Sequence, residues 1–331
     1  MARGDLIRAL KGALRVRGYS RRTERAYVGW ARRYIAWAGT RHPRVLGQEE
    51  VNAFLTYLAV EKGVAPGTQN QAACALLFLY EHVVERPLGR LRELVRSPEP
   101  KRLPTVLSRE EVGVVLSHLR GSARLAALLM YGSGLRLREA MSLRIKDVDV
   151  GARTIRLREG KGGDDRVTML AAPVVEDLEV WVPRVRRRWL ADRAAGIVVP
   201  LPTALARKYP SAPAEWPWYW LLPARRRTPS GEGYQRWHLH ASGVQRRVRR
   251  AAKAAGLNKR VTCHTFRHCF ATHLLEAHYD IRTIQELMGH KDVRTTMIYT
   301  HVLNRGPLGV QSPADLLPPL PVSSRRLGKD T

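Results

Sequence analysis

The 331-residue chain carries 57 Lys+Arg against 29 Asp+Glu, a formal net charge of +28 and a pI near 11.1. Such an excess marks a polyanion as the partner, because each phosphate neutralised releases a condensed counterion. A ribosomal protein or a membrane-surface binder would not account for a hydrophobic share of 44%, and no apolar run is long enough to span a membrane; M-A-R-G-D-L-I-R holds no signal-peptide core, so a cytoplasmic location is expected.

At this length two domains fit better than one. Tyr27, Trp30, Ala31, Tyr34 and Ile35 recur at helical spacing and form one apolar stripe of a helix that begins near Ser20. Arg21, Arg22, Arg25, Arg32 and Arg33 fall largely off that stripe, where they make either a solvated face or contacts to phosphate. Amphipathic patterns over 49–61 and 67–86 add helices, so 1–96 is expected to be a small all-helical domain. Pro98, Pro100 and Pro104 then forbid helix and make 97–107 an extended linker.

Ser108 and Glu111 form a capping box that opens the second domain. Helices follow over 109–119 and 123–131, stopped by Gly132 and Gly134. T-I-R-L-R and R-V-T-M-L flank the turn E-G-K-G-G-D-D and predict a hairpin. Helical pattern resumes at 262, Gly289 closes one helix before His290, and a short helix over 293–300 carries Tyr299. The tail, 307–331, is extended and polar at its end, with V-Q-S-P-A-D-L-L as a short docking helix. Cys74, Cys263 and Cys269 lack C-x-x-C spacing, which argues against disulfides and zinc and for small core residues.

Chemistry enters with Arg136 in G-S-G-L-R-L-R-E-A, Lys161 in the glycine-rich turn, His264 and Arg267 in H-T-F-R-H, His290 in L-M-G-H, and Tyr299. In that order they supply what cleavage of a phosphodiester needs without metal or cofactor. A tyrosine attacks, guanidiniums hold the non-bridging oxygens, and lysine and histidine move protons. Each residue alone has an ordinary explanation: Arg136 as a salt bridge to Glu139, Lys161 as a solvated hairpin lysine, Tyr299 as packing. His264 and Arg267 share a helical face while Phe266, Phe270 and Leu274 turn to the core. His268 and His273 are taken as structural. H-x-x-R spacing leaves too few ligands for zinc.

About ninety residues separate the hairpin from H-T-F-R-H, and they interleave basic clusters with aromatics. Trp216, Trp218, Tyr219, Trp220 and Trp237, beside Arg225, Arg226 and Arg227, suit unstacked bases held on aromatic faces. The alternative is a core beneath a loop.

The order and surroundings of the six residues resemble the tyrosine recombinase (phage integrase-like) family, from about Gly18 to Leu317. L-A-R-K-Y-P-x-A-x-x-E-W at 205–216 and Y-T-H-V-L-N-R-G at 299–306 resemble the integron integrases within it. The resemblance implies a mainly α fold with a small β-sheet. It comprises a helical N-terminal core-binding (SAM-like) domain, and a mixed α/β catalytic domain over 108–306 with an insertion around 190–240. It also implies a 3′-phosphotyrosyl intermediate and a tetramer on synapsed sites, with the tail docking in trans. The partner would be DNA, as duplex and as a folded single-stranded hairpin with extrahelical bases, within a bacterial nucleoid. Gly163-Asp164-Asp165-Arg166 departs from the family's more basic turn. The rivals are a phage or chromosome-dimer recombinase on duplex sites, a type IB topoisomerase, and a non-catalytic DNA-binding relative.

Overall fold

A computed structural model describes residues 3–39, 41–88, 104–158, 165–231 and 233–299. Lys161 and its turn, most of the linker, and everything after Tyr299, including the tail and its docking helix, lie outside the described residues. The chain divides into two compact units, Met1–Arg102 and Leu103–Thr331.

The first unit is all helix. It contains α1 (Arg3–Val16), α2 (Arg21–Trp37), α3 (Gln48–Val60) and α4 (Pro66–Leu79), which runs on into a π turn over Tyr80–Val84. Ser20 caps α2 by accepting from the Thr23 amide at 3.1 Å, as its position before the apolar stripe predicts. Helix α1 is absent from the sequence expectations, although Leu6, Leu10 and Leu14 recur at i, i+4 and i+8 and are fully buried. Tyr34 and Tyr80, both buried, share a hydroxyl–hydroxyl hydrogen bond of 2.9 Å. Paired hydroxyls remove the cost of burying either one alone.

The second unit is built around α6 (Gly121–Gly132), which follows α5 (Arg109–Ser117). Ser108 and Glu111 cap α5 reciprocally, at 3.2 and 2.8 Å. Ala123 and every residue from Leu125 to Met130 are buried, so α6 is apolar on all sides and others must cover it. Those others include α7 (Leu137–Ser142), α8 (Ala172–Ala194), α10 (Ala241–Ala254) and α11 (Cys263–Glu276). Strands β1 (Val148–Asp149), β2 (Thr154–Leu157) and β3 (Arg166–Met169) make an antiparallel sheet in that order, with Leu157 opposite Arg166. In sequence, Lys161 falls between β2 and β3.

Between α8 and α10 lie α9 (Thr203–Lys208) and the ribbon β4 (Thr228–Ser230) and β5 (Gly233–Gln235). After α11 come α12 (Ile281–Met288) and α13 (Arg294–Met297). Gly289 ends α12 at φ 62°, the left-handed cap that glycine adopts without strain. Helix α13 is shorter than expected, and Tyr299 follows it in a turn rather than sitting on it. The mainly α fold with a small sheet, a helical N-terminal domain and a mixed α/β second domain, is thus the one observed.

Candidate active site

The turn before α7 lies against the end of α12; there Gly134 has φ 65° and an added Cβ would lie 2.5 Å from the Phe270 ring. Only glycine lets the backbone pass that close to α11. Its carbonyl accepts a hydrogen bond from Arg267 Nη1. Arg267, 3% exposed, also donates through Nη2 to the Met288 carbonyl at 2.6 Å and to His290 Nε2 at 3.0 Å. Arg136 is the N-cap of α7 and donates through Nη2 to the Gly289 carbonyl at 2.9 Å. Both guanidiniums are therefore anchored to the same helix end.

Among the described residues Glu139 is an anion within this crowd of cations. It accepts from the Arg136 amide and Nη1, each at 2.7 Å, and from Arg166 Nη2 at 2.7 Å. Arg267 Nη1 stands 3.8 Å from the same carboxylate. Burial alone would raise the Glu139 carboxyl, but the Arg166 and Arg136 hydrogen bonds hold it below its usual range. Arg166 also donates to the Leu287 carbonyl at 3.3 Å, which ties the start of β3 to α12. Burial first, and Arg136 second, bring Arg267 down to about 10, which leaves it charged at neutral pH.

The hydrogen bonds of His290 fix its tautomer. A guanidinium can only donate, so Nε2 holds a lone pair, and the ring proton sits on Nδ1 facing Thr296 Oγ1 at 2.9 Å. Burial and then Arg267 depress His290 to about 4, in keeping with that neutral form. Its ring lies parallel to Tyr299 with centroids 6.5 Å apart. Tyr299 is 2% exposed, packed with Phe270, Leu275, Ile284 and Met288. Burial raises its phenol, while Arg267 and then Arg136 pull it down.

The structure thus gathers Arg136, Arg267, His290 and Tyr299, with His264 exposed on α11 one turn before His268. Sequence reasoning passed over two neighbours. His268, taken as structural, meets Tyr299 Oη at 3.0 Å, and the signal available was its place one turn past His264. In sequence Arg166 reads only as part of a turn. His273 does serve structure: Tyr131 Oη lies 2.9 Å from its Nδ1 and Nε2 donates to the Leu107 carbonyl at 2.9 Å.

Among the basic candidates, Arg21, Arg22 and Arg25 are exposed on α2, as are Arg225 and Arg226 before β4. The insert aromatics require a correction. Tyr219 and Trp220 are buried in a cluster with Val185, Trp189 and Val199 and offer no face to a base. The cause is a buried ion pair: Arg236 donates to Asp192 at 2.8 and 2.6 Å, and Tyr219 Oη donates to the same carboxylate at 2.5 Å. Trp220 Nε1 donates to the Arg236 carbonyl at 2.9 Å. Trp216 and Trp218 are half-buried and already covered by cations, Arg186 at 4.7 Å from the former ring and Arg144 at 5.8 Å from the latter. Trp237 is 44% exposed.

Comparison with known proteins gives this arrangement a family. The phage integrase family model matches residues 106–305, and the N-terminal SAM-like domain of phage integrases matches 6–90. An integrase/recombinase of Escherichia coli is 47% identical over 314 residues, covering 94% of this chain and 93% of that protein. Tyrosine recombinase XerA of Thermococcus kodakarensis is 33% identical over 304 residues, covering 90% and 91% respectively. In fold, the chain resembles a lambda integrase (75–356) dimer bound to a COC′ core site, with TM-score 0.60, 17% identity and coverage of 90% and 95%. The chain belongs to the phage integrase family of tyrosine recombinases, enzymes of site-specific DNA recombination.

Proposed function

We propose that Tyr299 is the nucleophile of this recombinase and that Arg136 and Arg267 hold the scissile phosphate. The observation that carries this is the convergence of both guanidiniums, His290 and the buried phenol on the one end of α12. Among the described residues Arg267 keeps its Nε–H and second Nη1–H without a hydrogen bond, donors that suit a phosphoryl oxygen. Preorganised donors of this kind stabilise charge developing at phosphorus without reorganising during the reaction. Lys161, in the glycine-rich turn, protonates the 5′-oxygen as it leaves, and His264 at the exposed edge contacts the phosphate. His290 aligns Arg267 with Tyr299. The product is a 3′-phosphotyrosyl bond and a free 5′-hydroxyl, so religation needs no nucleotide. End-labelling of the released strand by polynucleotide kinase without prior phosphatase tests that polarity. A strand that labels only after phosphatase would overturn it.

We further propose that the protein is an integron-type recombinase, active as a tetramer on folded single-stranded and duplex sites and docking its tail in trans. The stretches at 205–216 and 299–306, and the insert with α9 in the first of them, support this finer reading. Within the insert, the exposed Trp237 beside exposed Arg225 and Arg226 is the aromatic suited to an extrahelical base. Preference for one strand of a hairpin site over its perfect duplex, at one salt concentration, is the test. Equal affinity would favour a recombinase of duplex sites.

A further inference from the structure

His268 follows Arg267 on α11, and its Nδ1 lies 3.0 Å from Tyr299 Oη, with ring centroids 5.5 Å apart. The other imidazoles nearby make no hydrogen bond to the phenol among the described residues. The His290 lone pair is taken by Arg267 and its ring proton by Thr296. His264 is exposed, its ring 6.3 Å from that of His268, and it makes no hydrogen bond to Tyr299 among the described residues. His268 shows no other hydrogen bond among the described residues, so the phenol is the group that orients its ring.

We propose that His268 is the proton acceptor for Tyr299 in strand cleavage, an inference that rests on the assignment of Tyr299 as nucleophile. As Oη attacks, the Oη–P bond forms and the P–O5′ bond breaks. The phenolic proton passes to Nδ1 of His268, and the departing 5′-oxygen takes its proton from the general acid on the hairpin. On religation a 5′-hydroxyl attacks phosphorus and gives its proton back to the now deprotonated group on the hairpin, the O5′–P bond forms as the Oη–P bond breaks, and the imidazolium of His268 returns its proton to Oη. The tautomer required carries its proton on Nε2 and leaves Nδ1 to accept. Burial, then His264 and Arg267, hold His268 down to about 4, so the ring waits in its neutral, accepting form. A weak base suffices because the phenol becomes strongly acidic once Oη begins to bond to phosphorus.

The test uses the full-length protein and a nicked suicide duplex whose site the wild type selects from a random-sequence library. His268→Asn sets an amide oxygen near the Nδ1 position, able to accept a hydrogen bond but not a proton. It should slow adduct formation by about 10²-fold or more while DNA affinity and thermal midpoint stay at wild-type values. Placing difluorotyrosine, a more acidic phenol, at 299 should recover at least about tenfold in that background and little in the wild type. Adduct formation by His268→Asn within about threefold of wild type overturns the proposal. So does a slow variant that the acidic phenol fails to rescue, because that defect is positional. Should His268→Asn fold poorly, His268→Gln is read against the same outcomes. Adduct formation by Tyr299→Phe would instead remove the assignment of the nucleophile.

Discussion

Replacing Glu139 by alanine removes the carboxylate that, among the described residues, Arg136, Arg166 and Arg267 share. The Glu139 side chain is 16% exposed and that of Arg267 is 4% exposed, so Arg267 does not rehydrate easily. Deleting one partner of a buried pair costs about 3–5 kcal/mol, because the other charge stays desolvated and uncompensated. Arg136, 35% exposed, recovers water and pulls the figure to the lower end, about 3 kcal/mol. Glu139→Gln keeps an acceptor of the same shape and should lose less. Urea unfolding at pH 7 measures both. The folded carboxyl is held below its unfolded value of about 4.3, so its contribution is fully present above that pH and fades as pH falls through the folded value. Wild type and variant should therefore converge only in acid. Bound DNA, supplying phosphate where the carboxylate was, should narrow the gap at neutral pH. An alanine variant within about 1 kcal/mol of wild type at pH 7 would refute the account of Glu139 as the hub.

Asp192→Ala should cost about 3–5 kcal/mol in chemical unfolding, because Arg236, with an 8% exposed side chain, would be buried without its partner. Trp237→Ala should weaken hairpin binding by about 5- to 150-fold at unchanged thermal midpoint, whereas Trp220→Ala should lower stability by about 3–5 kcal/mol and leave the hairpin-to-duplex ratio alone. His268 and His290 both sit near 4 when folded, below the usual value of 6.5. The unfolded chain therefore binds more protons between those values, and stability should fall on acidification through that window by up to about 3 kcal/mol per ring and be flat above it. His290→Gln should reduce that slope in unfolding measured across pH 4 to 7.

Much of this was legible because the chain marks its own boundaries. Ser20, Ser108 and Gly289 announce helix ends through side-chain acceptors or backbone freedom, and they occupy those positions in the fold. Arg136, Arg267, His290 and Tyr299 lie far apart in sequence, and what brings them together is the glycine at 134 and the carbonyls at the end of α12. No local pattern predicts which carbonyl an arginine will reach. His268 looked structural because a histidine on a core helix usually is, and its partner stands 31 residues away. The insert misled for another reason. Tyr219 and Trp220 sit in a basic stretch that resembles a binding surface, but a single buried carboxylate, Asp192, turns them inward through Arg236 and the Tyr219 hydroxyl. Periodicity cannot reveal a pair formed between helix α8 and a distant loop.

Covalent capture tests the central claim most directly. Wild-type protein incubated with a nicked suicide duplex should form a denaturation-resistant adduct, and mass spectrometry of its peptides should place a 3′-phosphonucleotide on Tyr299. Tyr299→Phe should bind the same duplex and yield none. An adduct mapped to another residue, or one that persists in Tyr299→Phe, would contradict the account.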